Sequence, residues 1–181
     1  MDIYEVLSND HRHFESLLDR LVAASEAGND EWKSILDELR RGVIAHAHAE
    51  EALFYNALRE TDASKSLVAH SYAEHAMSEG ELRTLGVAKL IDTTWTALAK
   101  KLSHDLRHHI EEEESRVFDA ARQVLTREEE RQIGAAFAQM KKETAKDGDS
   151  LIASTVDLVA NMLPPRLTDS FRKTIEQLRA G

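Results

Sequence analysis

Apolar side chains recur three and four positions apart along most of this chain, the spacing that gathers them on one face of an α-helix. The first such run opens at Asp2, which with Glu5 makes a capping box, and it extends to about Ala24. Glu26 to Asp30 (EAGND) contains Gly28 and reads as a loop whose Asp30 caps a second helix, from about Glu31 to Arg59. Glu60 to Ser64 breaks the pattern before a third helix that ends near Leu90. Asp92-Thr93-Thr94 caps a fourth from about Trp95 to Leu125, and Thr126 with Glu129 makes a capping box for a fifth, Arg127 to Glu143. After a break at Lys146 to Asp149 come a short helix, Leu151 to Leu163, and a stop at Pro164-Pro165 before the last helix. Short connections favour antiparallel neighbours. The pattern predicts an all-α, up-down four-helix bundle with an accessory fifth helix over residues 1–143, and a C-terminal helical extension over 144–181.

Each of the four stripes contains side chains that are not apolar. Leu7, Phe14 and Leu18 flank His11 in the first helix, while His13 points away. In the second, Leu39, Val43, Leu53 and Ala57 share their face with His46 and Glu50. Val68, Leu82 and Leu90 lie with His75 in the third, and Glu79 follows one turn later. The fourth stripe, Leu98, Leu102, Leu106, Val117, Ala120 and Val124, includes His109 and Glu113. His46/Glu50 and His109/Glu113 therefore repeat one motif, a His and a Glu about 40° apart around a helix and one turn along it. An aromatic ring follows each His by nine residues (Tyr55, Phe118), and this shared offset selects His109/Glu113 over the competing pair His108/Glu112.

A single histidine in an apolar stripe reads first as a core residue satisfied by a neighbour. Two buried carboxylates are different, because an unpaired one costs several kcal/mol or is forced to protonate. No Lys or Arg occupies a stripe position beside Glu50 or Glu113, so metal ions are the natural counter-charge. Measured from loop midpoints near Gly28, Ala63 and Ile91, the four histidines differ in height by roughly 2 to 8 Å at about 1.5 Å per residue. They can meet in one layer.

Composition narrows the metal and the partners. The chain has no cysteine among its 181 residues, so any ion is held by nitrogen and oxygen. Nine histidines make an imidazole–carboxylate set that suits iron, manganese or zinc and disfavours magnesium and calcium. Glu-x-x-His, the ferritin-like spacing, does not occur. A net charge of −10 without a dense Lys/Arg cluster argues against nucleic acid. The acidic N-terminus is unlike a secretory signal, and Leu151 to Leu163 is too short and too interrupted to span a bilayer, so a cytoplasmic location without membrane association is expected.

With Asp10-His11, HAHAEEALFYNAL from His46, Glu74-His75 and HIEEEESRVF from His109 in order, the chain resembles the hemerythrin-like family, the HHE cation-binding domain, over residues 1 to about 125. The resemblance implies two non-haem iron ions held by His11, His46, Glu50, His75, His109 and Glu113, with the two Glu bridging and an oxo or hydroxo bridge between the irons. Oxygen-carrying hemerythrins have a second His one turn after the third-helix His, where this chain has Glu79, a further candidate ligand. They also have an Asp five residues after the fourth-helix His, where here Glu113 stands at four. The expected function is therefore reaction with, or sensing of, oxygen, peroxide or nitric oxide, with catalase-like peroxide turnover or a stress response favoured over oxygen transport. The alternative is an iron or oxygen sensor, store or delivery module.

Four smaller expectations complete the reading. Tyr55 is a candidate phenolate ligand by type, but it lies about 180° from His46 in a regular helix and reads as packing. Tyr4 and Tyr72 lie near the stripes as hydrogen-bond donors to the site. Glu51, Glu111, Glu112 and Glu114 read as a solvated acidic face, and His48, His70, His104 and His108 as surface or supporting residues. The C-terminal extension could meet a protein partner, or more simply cap exposed apolar surface.

Overall fold

Asp2 opens the first helix as its spacing predicts: its carboxylate accepts the Glu5 N–H at 3.0 Å while the Glu5 carboxylate accepts the Asp2 N–H at 3.1 Å. The chain is described by a computed structural model over residues 1–59, 62–87, 92–147 and 153–180. α1 (Ile3–Ala27) ends on Gly28 at φ 65°, a left-handed conformation open to glycine, whose N–H reaches the Ala24 and Ser25 carbonyls. α2 (Trp32–Ala49) continues without interruption through a π-helical turn, Glu50–Phe54, and a last α-turn, Tyr55–Leu58. Asp30 does not cap it. That carboxylate pairs with Lys33 at 3.2 Å, and Asn29 Oδ1 accepts the Glu31 N–H instead.

α3 spans Asp62–Val87. α4 starts at Thr93, capped by Asp92, runs to Glu112, and likewise passes through a π-turn, Glu113–Val117, into Phe118–Val124. Thr126 and Glu129 form the expected capping box of α5 (Arg127–Asp147). α6 (Ala153–Ala160) and α7 (Pro165–Ala180) complete the chain. The expected helix end at Leu90, the loop midpoint Ile91 and the helix start at Leu151 lie outside the described residues.

The described residues form an all-α bundle with extra C-terminal helices. α1 packs on α2, α2 on α3, α3 on α4 and α4 back on α1, closing a four-helix ring, with α5 laid across α1 and α2. Two apolar cores fill it. One end holds Phe14, Leu18, Leu21, Trp32, Leu39, Leu82, Trp95 and Leu102. The other holds Ile3, Leu7, Leu53, Phe54, Phe118 and Phe137, and α6 and α7 add Val159, Leu167, Phe171 and Ile175 to it. His11, His46, His75, His109, Glu50 and Glu113, all buried, belong to neither core; His11 along α1 and Glu113 along α4 fall between members of the two.

α5 approaches the N-terminus so closely that a Cβ at Gly134 would lie 2.8 Å from backbone atoms of Asp2 and Ile3. Backbone cannot swing aside as a side chain can. Gly134→Ala gains about 1 kcal/mol of helix propensity but forces an overlap costing about 1–3 kcal/mol. The expected result is a net loss of stability, read as a thermal midpoint a few degrees lower; an unchanged or higher midpoint would refute the close approach.

Candidate metal centre

The four stripe histidines turn their Nε2 atoms inward. Those of His11 and His46 are 3.3 Å apart, and those of His75 and His109 are 3.2 Å apart. Each Nδ1 faces outward onto a carboxylate at 2.9 Å: Glu114 for His11, Asp10 for His46, Glu51 for His75 and Glu74 for His109. Such a contact fixes the ring orientation and, by holding the Nδ1 proton, leaves Nε2 as a lone-pair donor. The pattern is two-fold. Asp10 and Glu74 each precede a stripe histidine and brace the histidine of the next helix, while Glu51 and Glu114 each follow a stripe carboxylate.

Glu50 and Glu113 are fully buried at the middle of this layer. Donor atoms of His11, His46, Glu50 and Glu113 lie within 4.8 Å of one another, as do those of Glu50, His75 and His109. Glu50 is common to both groups, with its Oε2 3.3 Å from His46 Nε2 and 3.4 Å from His75 Nε2. Glu113 Oε2 sits 3.3 Å from His11 Nε2 and 3.9 Å from His109 Nε2. One oxygen of each, Glu50 Oε1 and Glu113 Oε2, is buried without a hydrogen bond.

The layer demands positive charge. Burial raises Glu113, Glu50 beside it adds repulsion, and the pull of His11 is too weak to compensate, so its pKa is pushed up to about 7. Burial also raises Glu50, but His46, Glu113 and His75 outweigh it and hold that carboxyl well below the usual range. Burial lowers His11 and His75, yet Glu113 with Glu114, and Glu50 with Glu51, override it and raise each to about 10. Without a metal, protons on these rings supply the charge.

Six carboxylates (Asp10, Glu50, Glu51, Glu74, Glu113, Glu114) meet the four rings, and among the described residues the fixed cations paired with them are Arg12 on Glu114 and Lys141 on Asp10. Four negative charges remain, which two divalent cations would balance. The orphaned oxygens, the inward lone pairs and this balance all fit a pair of ions bound through nitrogen and oxygen.

The π-turns decide what else reaches the layer. Each inserts about one residue, or about 100° of rotation, into its helix. Tyr55 therefore swings from the far side of α2 to within about 80° of His46. Its ring is fully buried and stacks on His75, with centroids 5.5 Å apart. Its hydroxyl donates toward Glu113 Oε1 at 3.2 Å and lies 3.4 Å from Glu50 Oε2. The expectation that Tyr55 merely packs is corrected. The same phase change puts Phe118 and Ala121 into the α4 core and leaves Ala120 and Val124 half-buried.

Other expectations shift as well. Glu79 is half-buried and faces His48 at 3.5 Å, outside both donor groups. Glu51 and Glu114 are histidine braces rather than solvated acids. Tyr72 donates to the Glu51 carbonyl at 3.3 Å, whereas Tyr4 reaches Glu130 on α5 and takes no part in the layer. One signal for the braces was present in the sequence: an acidic residue stands directly beside four of the six central residues.

On the histidine side lies a small cavity of ≈10 Å³, walled by His11, His46, His75 and His109 together with Phe14, Val43, Leu106 and Ile110. That is room for about one water-sized group.

A helical bundle with a buried layer of histidine and glutamate defines a class, the helical-bundle proteins able to hold metal through imidazole and carboxylate. The particular family follows from sequence comparison: the profile of the hemerythrin HHE cation-binding domain matches residues 2–121, so this chain belongs to that family. No curated protein and no solved structure gives a significant match. Among the described residues, no helix is long and apolar enough to cross a membrane.

Proposed function

We propose that the chain is a non-haem di-iron protein that reacts with oxygen, peroxide or nitric oxide, with peroxide turnover favoured over oxygen transport. The observation that carries this reading is the small cavity against four inward Nε2 atoms, with room for about one water-sized group beside the ions. His11, His46, Glu50 and Glu113 would hold one ion, and Glu50, His75 and His109 the other, with Glu113 within reach of both. Bound iron would supply Lewis acidity and electrons at a coordination position that the protein leaves open.

The chain's own groups do the rest. Asp10, Glu51, Glu74 and Glu114 keep the rings in place, and the apolar wall excludes bulk water. The Tyr55 hydroxyl stays protonated, because burial and the two carboxylates raise its pKa well above 10, and it holds a proton at Oη beside both glutamates. Oxygen carriage is disfavoured because Glu79 stands where oxygen carriers place a fifth histidine and turns to His48 instead.

A sensor reading has one observation of its own: α7 packs directly on the π-turn that bears Glu50, so a change at the centre has a path into the extension at 144–181. Metal analysis and the visible spectrum before and after peroxide test the proposal. About two irons per chain and steady peroxide consumption are expected, with both lost in His46→Ala and His109→Ala. Less than about one metal per chain, unchanged by either substitution, would overturn it. An iron-loaded protein that consumes no peroxide, but whose α7 changes protease sensitivity with redox state, would favour the sensor.

A further inference from the structure

Outside the buried layer, two more His-x-x-x-Glu pairs stand on neighbouring helices: His70/Glu74 on α3 and His108/Glu112 on α4. His70 Nε2 lies 3.4 Å from Glu74 Oε1 and 3.1 Å from Glu112 Oε2, and the three atoms fall within 4.8 Å of one another. We propose that this cluster on the outer face of the α3–α4 hairpin is a separate divalent transition-metal site, held by His70 Nε2, Glu74 Oε1 and Glu112 Oε2.

The geometry suits an ion. Zinc-to-donor bonds of about 2.0–2.1 Å in a tetrahedron place donors about 3.3 Å apart, close to the two separations from His70. Three protein donors leave a position for water, and mixed imidazole and carboxylate select a transition metal over calcium or magnesium. Glu112 keeps Oε2 for this purpose, since Arg116 takes its Oε1 at 2.8 Å.

The two-fold pattern of the braces supplies an independent reason. Asp10, which braces His46, is neutralised by Lys141 from α5. Glu74 is its counterpart on the other hairpin and braces His109 through Oε2 at 2.9 Å. Its side chain is only 10% exposed, and among the described residues no Lys or Arg pairs with it. Where Asp10 has an ammonium, Glu74 Oε1 faces an imidazole and a second carboxylate. A metal ion there takes the place of Lys141. His70 is 56% exposed, so the site opens to solvent while Glu74 links it to the buried layer. The site differs from the buried centre in position and residues, and it stands whether or not that centre holds iron.

Zinc binding to the metal-free full chain, followed by equilibrium dialysis and calorimetric titration, tests this. The double variant His70→Ala/Glu112→Gln alters two outward-facing side chains and is expected to fold, with far-ultraviolet dichroism as the check. It is expected to lose one zinc equivalent, or to bind it at least about tenfold more weakly, while retaining the ions of the centre. His46→Ala should do the reverse, losing zinc at the centre and keeping the outer equivalent. Identical stoichiometry and affinity in wild type and the double variant would overturn the outer site. Loss of zinc only in His46→Ala would do so too, and would leave the buried centre standing.

Discussion

Glu113→Gln is expected to lower the bound metal from about two ions per chain to one or fewer, and at the same time to make the metal-free protein more stable. The two halves have one cause. Glu113 is fully buried beside Glu50, with Oε2 lacking a hydrogen bond, so its charge is an asset only when ions are present. In the metal-free fold its pKa is pushed up to about 7, against 4.5 for the free side chain. Below pH 4.5 the group is neutral folded and unfolded, and the substitution changes little. Between 4.5 and 7 the unfolded chain ionises first and gains on the fold, and above 7 the full penalty is present.

Glutamine keeps the shape and removes the charge. The gain in thermal midpoint should therefore be near zero at pH 4.5 and reach several degrees at pH 8, equivalent to a few kcal/mol. Calorimetry in chelator at both values, with metal analysis alongside, measures both halves. A variant less stable than wild type at pH 8 would mean that pairing with His11 outweighs burial and Glu50 repulsion.

The second large effect concerns the extension. Phe171→Ala should cost about 3–5 kcal/mol, a large part of the roughly 5–15 kcal/mol that holds a typical domain. Phe171 is 1% exposed and joins the core that contains Phe54, Leu58 and Phe137. At about 2–4 °C per kcal/mol for a chain of this size, the thermal midpoint should fall by about 10 °C. Removing residues 148–181 should do more, exposing the outer side of the α2 segment from Glu50 to Leu58 and causing self-association. Metal content should fall with it, because α7 supports the turn that carries Glu50. A truncated chain with an unchanged midpoint and metal content would reduce the extension to an accessory.

The bundle itself was legible because it rests on local rules. Capping boxes at Asp2/Glu5 and Thr126/Glu129, the Asp92 cap and the apolar stripes each need only a few neighbouring residues, and the fold honours them. Asp30 failed as a cap: its carboxylate pairs with Lys33, and no side chain caps the start of α2. The family motifs were legible for a similar reason, since His46/Glu50 and His109/Glu113 lie one turn apart on single helices.

Spacing along the chain was enough for the helical class, the family and the inward-facing histidines and glutamates, because periodicity is a property of one helix at a time. What remained was set by how the helices pack on one another. The two π-turns brought Tyr55 to both carboxylates and rotated Phe118 and Ala121 inward, a phase that the regular 3.6-residue repeat does not supply. Packing across helices also decided that Asp10, Glu51, Glu74 and Glu114 hold the rings, that Glu79 faces away, and that His70 meets Glu74 and Glu112. Apart from His70 and Glu74, one turn apart on α3, those contacts join residues 24 to 103 positions apart, where spacing along the chain carries no information about distance.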